Sequence, residues 1–514
     1  MAVHSLILVV AGMLLTVQDV AGTACDPVSF GQSSIVCRCN ATYCDTVPGL
    51  SLSANTYTIY TSSMTGNRFS NKIVSFTDRG AMANSKITVN KSISYQTILG
   101  FGGAITDAAA KNIFMLSSAT RLKLLESYYS PSGIEYTLGR IPIASTDFST
   151  HAYSYDDIDG DLDLRHFALV TEDLTYKIPV VKSAQLMSSR KIKLFSSPWS
   201  APYWMKTDES MTGRGFLIGQ PGGPYYKAWA KYIVKFLDEY KKQGVEFWGL
   251  TAQNEPLDGR IPFFPFQCLG FTAEMQRDFI ISDLGPALHA GGYADLNLMV
   301  FDDSVLEVSS WAKTIYDNET ASQYVSGLAL HWYENGVFGY NEMTDTHNIN
   351  PSKFLLATEA CTGSSPLDKQ KVILGSWERA EQYTDDIIKD LQNWVTGWTD
   401  WNIALNMSGG PNWVNNNVDS PIIVNAVHNE FYKQPMYYAM GHFSKFVTPG
   451  SIRHEMSIKG SACDGVVFST PEGYTAMILY NRSETAENVD VVDGNKTFTV
   501  SVAPRSINTV VYLS

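Results

Sequence analysis

The sequence predicts an α/β protein built around a closed (β/α)8 TIM barrel, accompanied by a β-sandwich. Strand-like apolar runs alternate with helical patterns through about 300 residues, which is typical of such a barrel. Short alternating strands occupy both ends of the chain. The dinucleotide-binding motif G-x-G-x-x-G is absent from the start of this region. Gly100 and Gly102 match its first two glycines, but Ile105 occupies the position of the third.

The two ends of the chain predict one β-sandwich. The N-terminal part, 51–96, contains alternating runs at 55–62 and 86–93. The C-terminal part, 451–514, shows the same pattern without a helical period. Its strand-like runs lie at 465–468, 475–480, 497–500 and 509–512. We expect both parts to bury their apolar faces against each other.

The middle of the chain, 97–450, predicts the barrel. Seven apolar runs read as buried strands, at 139–143, 192–196, 246–252, 296–301, 325–332, 354–358 and 401–405. Helical spacing of apolar residues appears between several of them, at 225–243, 273–284 and 377–394.

Composition indicates a folded, acidic chain. Its 514 residues are 45% hydrophobic and 17% charged, which is typical of a globular protein. The net charge of −13 excludes a basic nucleic-acid footprint. Because this negative charge falls as the pH approaches 5, anionic membranes would then repel the protein less.

Residues 1–24 predict a signal peptide. An apolar stretch at 6–15 precedes small residues at 21–24, which are suited to cleavage. A signal anchor is the alternative, but ten apolar residues are too few to span a bilayer. We therefore expect a soluble mature protein that is exported through the secretory pathway.

Four cysteines crowd into twenty residues behind this leader and favour two disulfide bridges. They are Cys25, Cys37, Cys39 and Cys44. Three pairings are possible, and a zinc knuckle is the less favoured alternative in an oxidising compartment. The isolated Cys268, Cys361 and Cys463 are expected to be free.

Sequons agree with export. Glycosylation is expected among Asn40, Asn90, Asn318, Asn481 and Asn495. Asn406 is set apart, because it lies within a motif placed near the predicted site.

Two glutamates stand at the ends of apolar runs. Glu255 follows 246–253, and Glu359 follows 353–357. In a barrel, strand ends meet at the C-terminal face, where catalytic groups sit. Two carboxylates there suit glycoside hydrolysis, in which one protonates the leaving oxygen and the other attacks. Solvated surface residues are the alternative for either one.

Other hydrolase signatures are missing from the sequence, which contains no G-x-S-x-G, H-E-x-x-H or P-loop motif. Of the scattered histidines, His331 ends a strand-like run and is placed at the barrel mouth, with a structural role equally open. Aromatic residues gather near strand ends, and indole faces suit sugar rings. They are Trp199, Trp204, Trp332, Tyr333, Trp398, Trp401 and Trp413.

Several multi-residue segments match one family in order. They include Cys-Asn-Ala-Thr-Tyr-Cys-Asp at 39–45, Gly-Phe-Gly-Gly-Ala at 100–104, Thr-Asp-Ala-Ala-Ala at 106–110, Asn-Glu-Pro at 254–256, Pro-Phe-Gln-Cys-Leu-Gly-Phe-Thr at 265–272, Gly-Trp-Thr-Asp-Trp-Asn at 397–402 and Phe-Tyr-Lys-Gln-Pro-Met at 431–436. On these segments the chain resembles glycoside hydrolase family 30, in its branch of animal glucosylceramidases.

The resemblance implies residue roles. Glu255 matches the acid/base after the fourth barrel strand, and Glu359 matches the nucleophile after the seventh. The matched glucose-contacting positions are Asp107, Trp199, Asn254, Asp400, Trp401 and Asn416. The polar groups around the nucleophile are Arg140, His331 and Tyr333, and the aromatic rim of the mouth is Phe264 and Phe266.

The resemblance also implies the wider architecture. It pairs Cys25 with Cys37 and Cys39 with Cys44, in a small antiparallel sheet formed by 25–50 with a segment near 403–434. Implied partners are glucosylceramide, an anionic membrane surface, a saposin-type activator and a lysosomal transport receptor. No metal or cofactor is expected.

The function expected from the resemblance is that of a retaining exo-β-glucosidase acting on glucosylceramide. Activity should peak at acidic pH, because the charge of Glu359 is expected to raise the pKa of Glu255. Two alternatives are a family member acting on xylan or another glucan, and a catalytically silent glycoprotein that binds lipid or a receptor.

Overall fold

The computed structural model describes residues 22–78, 83, 85–365 and 367–514. Most of the predicted signal peptide, residues 1–21, lies outside the described residues. Among the helices of the described ranges, none has the length and apolar character needed to cross a bilayer. Strands and helices are numbered β1–β22 and α1–α12 in chain order.

Eight parallel strands close into a barrel, as the sequence predicts. In chain order they are β6 (Gly100–Ala104), β7 (Leu138–Ile143), β8 (Lys193–Pro198), β9 (Gly249–Thr251), β10 (Asn297–Ser304), β11 (Val325–His331), β12 (Phe354–Glu359) and β13 (Val395–Asn402). The barrel closes where β13 pairs with β6. Glu359 is therefore the last residue of the seventh barrel strand.

Helices connect the barrel strands and cover their outer face. They are α1 (Asp107–Met115), α2 (Ser118–Tyr129), α3 (Ile178–Met187), α4 (Pro224–Lys242), α5 (Ala273–Phe279), α6 (Gly285–Ala290), α7 (Val308–Tyr316), α8 (Glu319–Tyr324), α9 (Asn335–Phe338), α10 (Asn341–Ile349), α11 (Trp377–Gln392) and α12 (Pro435–Ser444). The predicted helices at 225–243 and 377–394 correspond to α4 and α11. The one predicted at 273–284 is α5, which continues through a π-helical turn, Ile280–Leu284, into α6.

Both ends of the chain join in one nine-stranded sheet. Its strands are β3 (Thr56–Ser63), β4 (Ser70–Ser75), β5 (Ser85–Thr97), β17 (Ile452–Lys459), β18 (Cys463–Ser469), β19 (Tyr474–Asn481), β20 (Glu487–Asp493), β21 (Lys496–Val502) and β22 (Ser506–Leu513). Their order is β21-β20-β5-β17-β18-β19-β22-β3-β4. The sheet folds over itself, since the Tyr57 ring of β3 lies 4.9 Å from Phe498 of β21. The predicted sandwich is thus confirmed.

A five-stranded sheet holds the N-terminal segment. Its strands are β1 (Pro27–Val28), β2 (Val36–Asn40), β14 (Leu405–Asn406), β15 (Ile422–Asn425) and β16 (Glu430–Lys433). The disulfides join Cys25 to Cys37 and Cys39 to Cys44, as the resemblance implies. The sheet is not wholly antiparallel, because β14 pairs with β15 in parallel.

Two errors in the strand predictions concern strands beside the site. Strand β6 was missed because its sequence, Gly-Phe-Gly-Gly-Ala, has few β-forming side chains. Close packing explains the glycine at 102, since a Cβ there would lie 2.0 Å from the carbonyl oxygen of Leu138. The eighth strand was placed at 401–405, but β13 spans Val395–Asn402, and the apolar run continues past its end.

The expected glycan at Asn481 is contradicted by the fold. Asn481 ends β19 with its side chain fully buried, and its amide donates to the carbonyls of Thr485 (3.0 Å) and Ala503 (2.8 Å). A glycosylated amide would have to leave this pocket. Glycopeptide mass spectrometry of the purified protein is therefore expected to find Asn481 unmodified, whereas the exposed Asn90 and Asn495 stay candidates. Glycan occupancy at Asn481 would contradict this placement.

Candidate active site

The structure brings Glu255 and Glu359 together at the C-terminal face of the barrel. Glu359 ends β12, and Glu255 follows β9, where its backbone NH donates to the Asp302 carbonyl at 2.9 Å. An oxygen of each carboxylate and a ring nitrogen of His331 all lie within 4.8 Å of one another. That proximity fits retaining glycosidases, whose carboxyl groups are about 5–5.5 Å apart, and leaves less room than the inverting arrangement requires.

A cavity of about 530 Å3 opens over the two glutamates. Eight of the predicted site residues line it: Trp199, Glu255, Phe264, Phe266, Tyr333, Glu359, Trp401 and Asn416. Further lining residues include Asp147, Phe148, Asp258, Glu334, Cys361, Ser364, Ser365 and Val418. The walls therefore combine aromatic faces with carboxylates and an amide, as a sugar site requires.

Two indole rings form one wall of the cavity. Trp199 follows β8 and Trp401 lies in β13, and their rings stack at 5.1 Å with an interplanar angle of 15°. The guanidinium of Arg140 lies 4.8 Å from the first ring and 5.4 Å from the second, which adds cation–π attraction. At the rim, Phe264 and Phe266 meet edge to face at 4.5 Å.

Glu359 is held by two donors. Arg140, fully buried on β7, forms an ion pair with its Oε2. The Tyr333 hydroxyl donates to its Oε1 at 2.8 Å. Arg140 also donates to Asn254 Oδ1 at 2.7 Å, so Asn254 lies between Arg140 and Glu255 at the base of the site. The carboxylate of Glu359 is therefore fixed in one orientation.

His331 connects Glu255 to a buried aspartate. Its Nδ1 lies 3.0 Å from Glu255 Oε1, and its Nε2 lies 3.1 Å from Asp302 Oδ1. Burial lowers the pKa of His331, but the carboxylates of Glu359, Asp302 and Glu255 outweigh it and raise that pKa to about 10. His331 is therefore an imidazolium that donates to both neighbours.

The pKa of Glu255 is lowered, in the opposite direction from the one that the sequence analysis expects. Burial does raise the pKa of Glu255, but the hydrogen bond and charge of His331 outweigh it and bring the pKa below its usual value. For Glu359, burial raises the pKa, and His331 and Arg140 offset it only partly. Sequence reasoning missed this because it paired the two glutamates without the imidazolium between Glu255 and Asp302.

Asp107 does not line the cavity. It begins α1, accepts hydrogen bonds from Ser149 Oγ (2.6 Å) and Tyr153 OH (2.7 Å), and pairs with Lys177 at 2.9 Å. These bonds fasten the segment that carries Asp147, which does line the cavity. Its role as a glucose contact, which the family resemblance implies, stays a prediction.

Asp400 is also absent from the cavity wall. Successive side chains of a strand point to opposite faces. Trp401 faces the cavity, so Asp400 faces α11, where it accepts a hydrogen bond from Tyr383 OH at 2.5 Å. Burial raises the pKa of Asp400 well above its usual range. It is a buried partner of the helix layer.

Three cavity carboxylates, Asp147, Asp258 and Glu334, escaped the sequence analysis. Asp147 accepts hydrogen bonds from Asn416 (3.0 Å) and Asn412 (3.1 Å), and burial raises its pKa to about 7. Asp258 contacts Glu255, and burial with that neighbouring charge raises its pKa well above the usual range. Asp258 could have been suspected from its position three residues after Glu255. Asp147 gave no comparable signal, since it ends no apolar run.

The buried acids predict a fold that is more stable in acid. Burial raises the pKa of Asp147 to about 7, of Asp303 to about 8 and of Asp386 to about 6. A carboxyl group with a higher pKa in the folded chain binds more protons there, so its contribution to stability is lost as the pH rises towards that pKa. The pKa of His331 is raised to about 10, so this residue also loses its contribution to stability as the pH rises above 6.5. Burial lowers the pKa of His442 to about 3, so this residue has the opposite effect and destabilises the fold as the pH falls below 6.5.

Because three aspartates and His331 outweigh His442, the melting temperature is expected to be several degrees higher at pH 5 than at pH 7.5. Differential scanning fluorimetry at constant ionic strength measures this. Asp386→Asn removes one titrating group and should flatten the dependence. A melting temperature that increases from pH 5 to pH 7.5 would disprove the assignment.

Two adjacent carboxylates at barrel strand ends, beside an indole wall, define a glycoside hydrolase. Models of the Glycosyl hydrolase family 30 TIM-barrel domain and beta sandwich domain match residues 98–447 and 450–510. The chain belongs to glycosyl hydrolase family 30, which confirms the predicted membership.

Individual relatives agree with this membership. Lysosomal acid glucosylceramidase of Mus musculus is 45% identical over 483 residues, which cover 93% of each chain. The crystal structure of SrfJ from Salmonella typhimurium matches with a TM-score of 0.81 and 27% identity, over 89% of this chain and 100% of that one. The endo-beta1,6-glucanase BT3312 gives a TM-score of 0.78 at 27% identity, with the same coverage.

Proposed function

We propose that this protein is a retaining exo-β-glucosidase that hydrolyses glucosylceramide to glucose and ceramide. The identity of 45% with a lysosomal acid glucosylceramidase, over 93% of both chains, carries the choice of substrate. The short separation of Glu255 and Glu359 supports the retaining mechanism.

In the first chemical step, Glu359 attacks the anomeric carbon and the bond to the ceramide oxygen breaks. Arg140 and Tyr333 hold the attacking carboxylate in place. Glu255 delivers a proton to the departing oxygen. His331 lies 3.0 Å from Glu255 Oε1 and orients the carboxyl group that carries this proton.

In the second step, water displaces Glu359 from the glucosyl-enzyme with the same stereochemistry. The ester formed by Glu359 no longer carries a negative charge, so Glu255 can act as the base that activates this water. Trp199 and Trp401 offer a face to the glucose ring, and Asp147 and Asn416 offer polar groups to its hydroxyls. Asn254, beside Glu255, is the proposed contact for the hydroxyl next to the anomeric carbon.

Purified protein tests this proposal against one alternative within the family. The likeness to an endo-β-1,6-glucanase makes hydrolysis of β-1,6-glucan the second candidate. Glucosylceramide in mixed vesicles, β-1,6-glucan and xylan should be offered at pH 5, with glucose release and product length measured. Release of glucose and ceramide is expected. Oligosaccharide release from glucan without ceramide formation would support the alternative, and no turnover of any substrate would leave a silent binding protein.

Exposed apolar side chains around the mouth support approach to a membrane. They follow four successive barrel strands and include Ile261, Phe263, Leu306, Val337, Phe338 and Leu367, of which Phe263 is 96% exposed. Exposed apolar side chains that gather at one face of a protein are typical of an interaction site. A lipid substrate would enter the cavity from this side, so we assign the rim to the membrane. The acidic chain meets anionic lipid with less repulsion as the pH falls.

Phe263→Ser is expected to reduce turnover of glucosylceramide in anionic vesicles about tenfold, because burying a phenyl ring in lipid is worth roughly 1.5–3 kcal/mol. Hydrolysis of a soluble aryl β-glucoside should be unchanged. Leu186→Ser is the matched control, since Leu186 is 88% exposed at the end of α3, away from the mouth. If both variants lose vesicle activity equally, or if Phe263→Ser also loses activity on the soluble glucoside, the rim does not bind the membrane.

Location in the lysosomal lumen is proposed on the same likeness together with the leader expected at residues 1–24. A saposin-type activator and a lysosomal transport receptor are proposed partners that rest on the resemblance of the sequence. Vesicle assays with and without a saposin test the first. Affinity capture from cells with this chain as bait tests the second.

A further inference from the structure

Asp302 is turned into the barrel by an irregularity of β10. Pairing with β11 runs from Phe301 with Ala329 to Asp303 with Leu330, so Asp302 is left without a partner. Phe301 and Asp302 both have positive φ, at 72° and 64°. A bulge of this kind re-aims a side chain, and such bulges are common beside active sites. Here the re-aimed carboxylate is fully buried.

Five side chains from five other barrel strands donate to this carboxylate. Arg140 of β7 (2.9 Å), Ser197 of β8 (2.9 Å) and Thr251 of β9 (2.6 Å) bind Oδ2. His331 of β11 (3.1 Å) and Thr358 of β12 (2.6 Å) bind Oδ1. Six of the eight barrel strands therefore meet at one carboxylate.

Two of these donors continue to the glutamates. Arg140 pairs with Glu359, and His331 contacts Glu255. We propose that Asp302 is a positioning residue that aligns both glutamates at once, holding Arg140 against Glu359 and His331 against Glu255. This inference rests on the proposed glycosidase function. It brings β10 into a site whose other residues lie on or directly after the neighbouring barrel strands.

The charge of Asp302 gives the arrangement a second consequence. The titratable and charged groups around it are Arg140, His331, Glu255, Glu359 and the adjacent Asp303. Burial opposes ionisation of Asp302, but Arg140 and His331 outweigh it and hold its pKa well below the usual range. A permanent negative charge at this point keeps His331 protonated beside Glu255. Removing it should weaken proton binding by the Glu255–His331 pair.

Asp302→Asn tests the proposal, with a soluble aryl β-glucoside as substrate so that membrane binding does not enter. The expected result is a fall in kcat of about 100-fold with KM little changed, the scale of a small misplacement of catalytic groups. The alkaline limb of the kcat/KM profile should move to lower pH by about one unit, because one negative charge is lost near the proton. A merely structural role would lower the melting temperature without moving that limb.

Asp303→Asn is the matched control. Asp303 is adjacent and buried, but its oxygens accept from the backbone NH groups of Leu257 and Ser304. Burial raises its pKa to about 8, so below pH 7 the substitution changes no charge. Its pH profile should match the wild type. An unmoved alkaline limb in folded Asp302→Asn, or an equal shift in Asp303→Asn, would overturn the proposal.

A second variant covers the case in which Asp302→Asn does not fold. Thr358→Val keeps the shape of the side chain and removes one donor to Asp302 without touching either glutamate. It is expected to lower kcat severalfold with KM unchanged, and a wild-type kcat would count against positioning by Asp302. Wild-type protein inactive on both aryl glucoside and glucosylceramide would instead show that the proposed function has failed.

Discussion

Glu359→Gln is expected to reduce turnover by about 10⁴-fold or more, since an amide cannot form the glycosyl-enzyme. The variant should still fold. Glutamine keeps the shape of the side chain: its carbonyl oxygen can accept from Arg140, and its amide group can donate to the hydroxyl oxygen of Tyr333. Arg140 also keeps its ion pair with Asp302 at 2.9 Å, so its buried charge is not left without a partner.

Steady-state assays on an aryl β-glucoside and on glucosylceramide measure this loss, and thermal unfolding verifies the fold. Glu246→Gln is the control. This variant has the same chemical change at a distant position. The Glu246 side chain is 75% exposed and precedes β9, so it lies on the opposite face of the barrel. The variant should keep wild-type activity. Turnover by folded Glu359→Gln above about one hundredth of wild type would remove Glu359 as the nucleophile.

Glu255→Gln is expected to reduce hydrolysis of glucosylceramide by about 10²–10⁴-fold, the range attributed to general acid–base catalysis. A ceramide alkoxide is a poor leaving group and depends on the proton from Glu255. The first step should be much less affected with an aryl glucoside whose leaving group needs no proton. A burst of phenol release followed by slow turnover is then expected, because Glu255 must still activate water in the second step.

Rapid-mixing assays with a series of aryl glucosides separate these two steps. A plot of rate against leaving-group pKa should be flat or shallow for wild type and steep for Glu255→Gln. Asn254→Asp is not a suitable control, because Asn254 contacts Arg140 directly. If Glu255→Gln and Glu359→Gln lose equal activity on the most activated glucoside, the roles assigned to the two glutamates are wrong.

Local sequence drew attention to both glutamates, and the family resemblance supplied their roles. Each follows a run of apolar residues that is typical of a buried strand, and parallel strands of a barrel end at one face. The same reasoning predicted the β-sandwich, because alternating residues at both ends of the chain need a common core. The two disulfides among the clustered cysteines were likewise expected from residue order.

Strand assignments failed where the pattern is carried by few side chains. β6 consists of glycine, alanine and one phenylalanine, and its place in the barrel follows from close packing against β7 rather than from β propensity. Asn481 shows the reverse error, since its sequon is intact but the end of β19 turns the amide inward onto Thr485 and Ala503. A short motif contains no information about burial.

By itself, the sequence determined the barrel, the sandwich and the two glutamates, because strand periodicity and strand ends are local properties. Only the tertiary structure decided that Asp147 lines the cavity beside Asn416, and that Asp302 joins His331 to Arg140. Both outcomes depend on side chains far apart in the chain meeting in a buried space. The pKa values of Glu255 and Glu359 depend on burial and on the distances to charged groups in this space, and neither can be deduced from the neighbouring residues in the sequence.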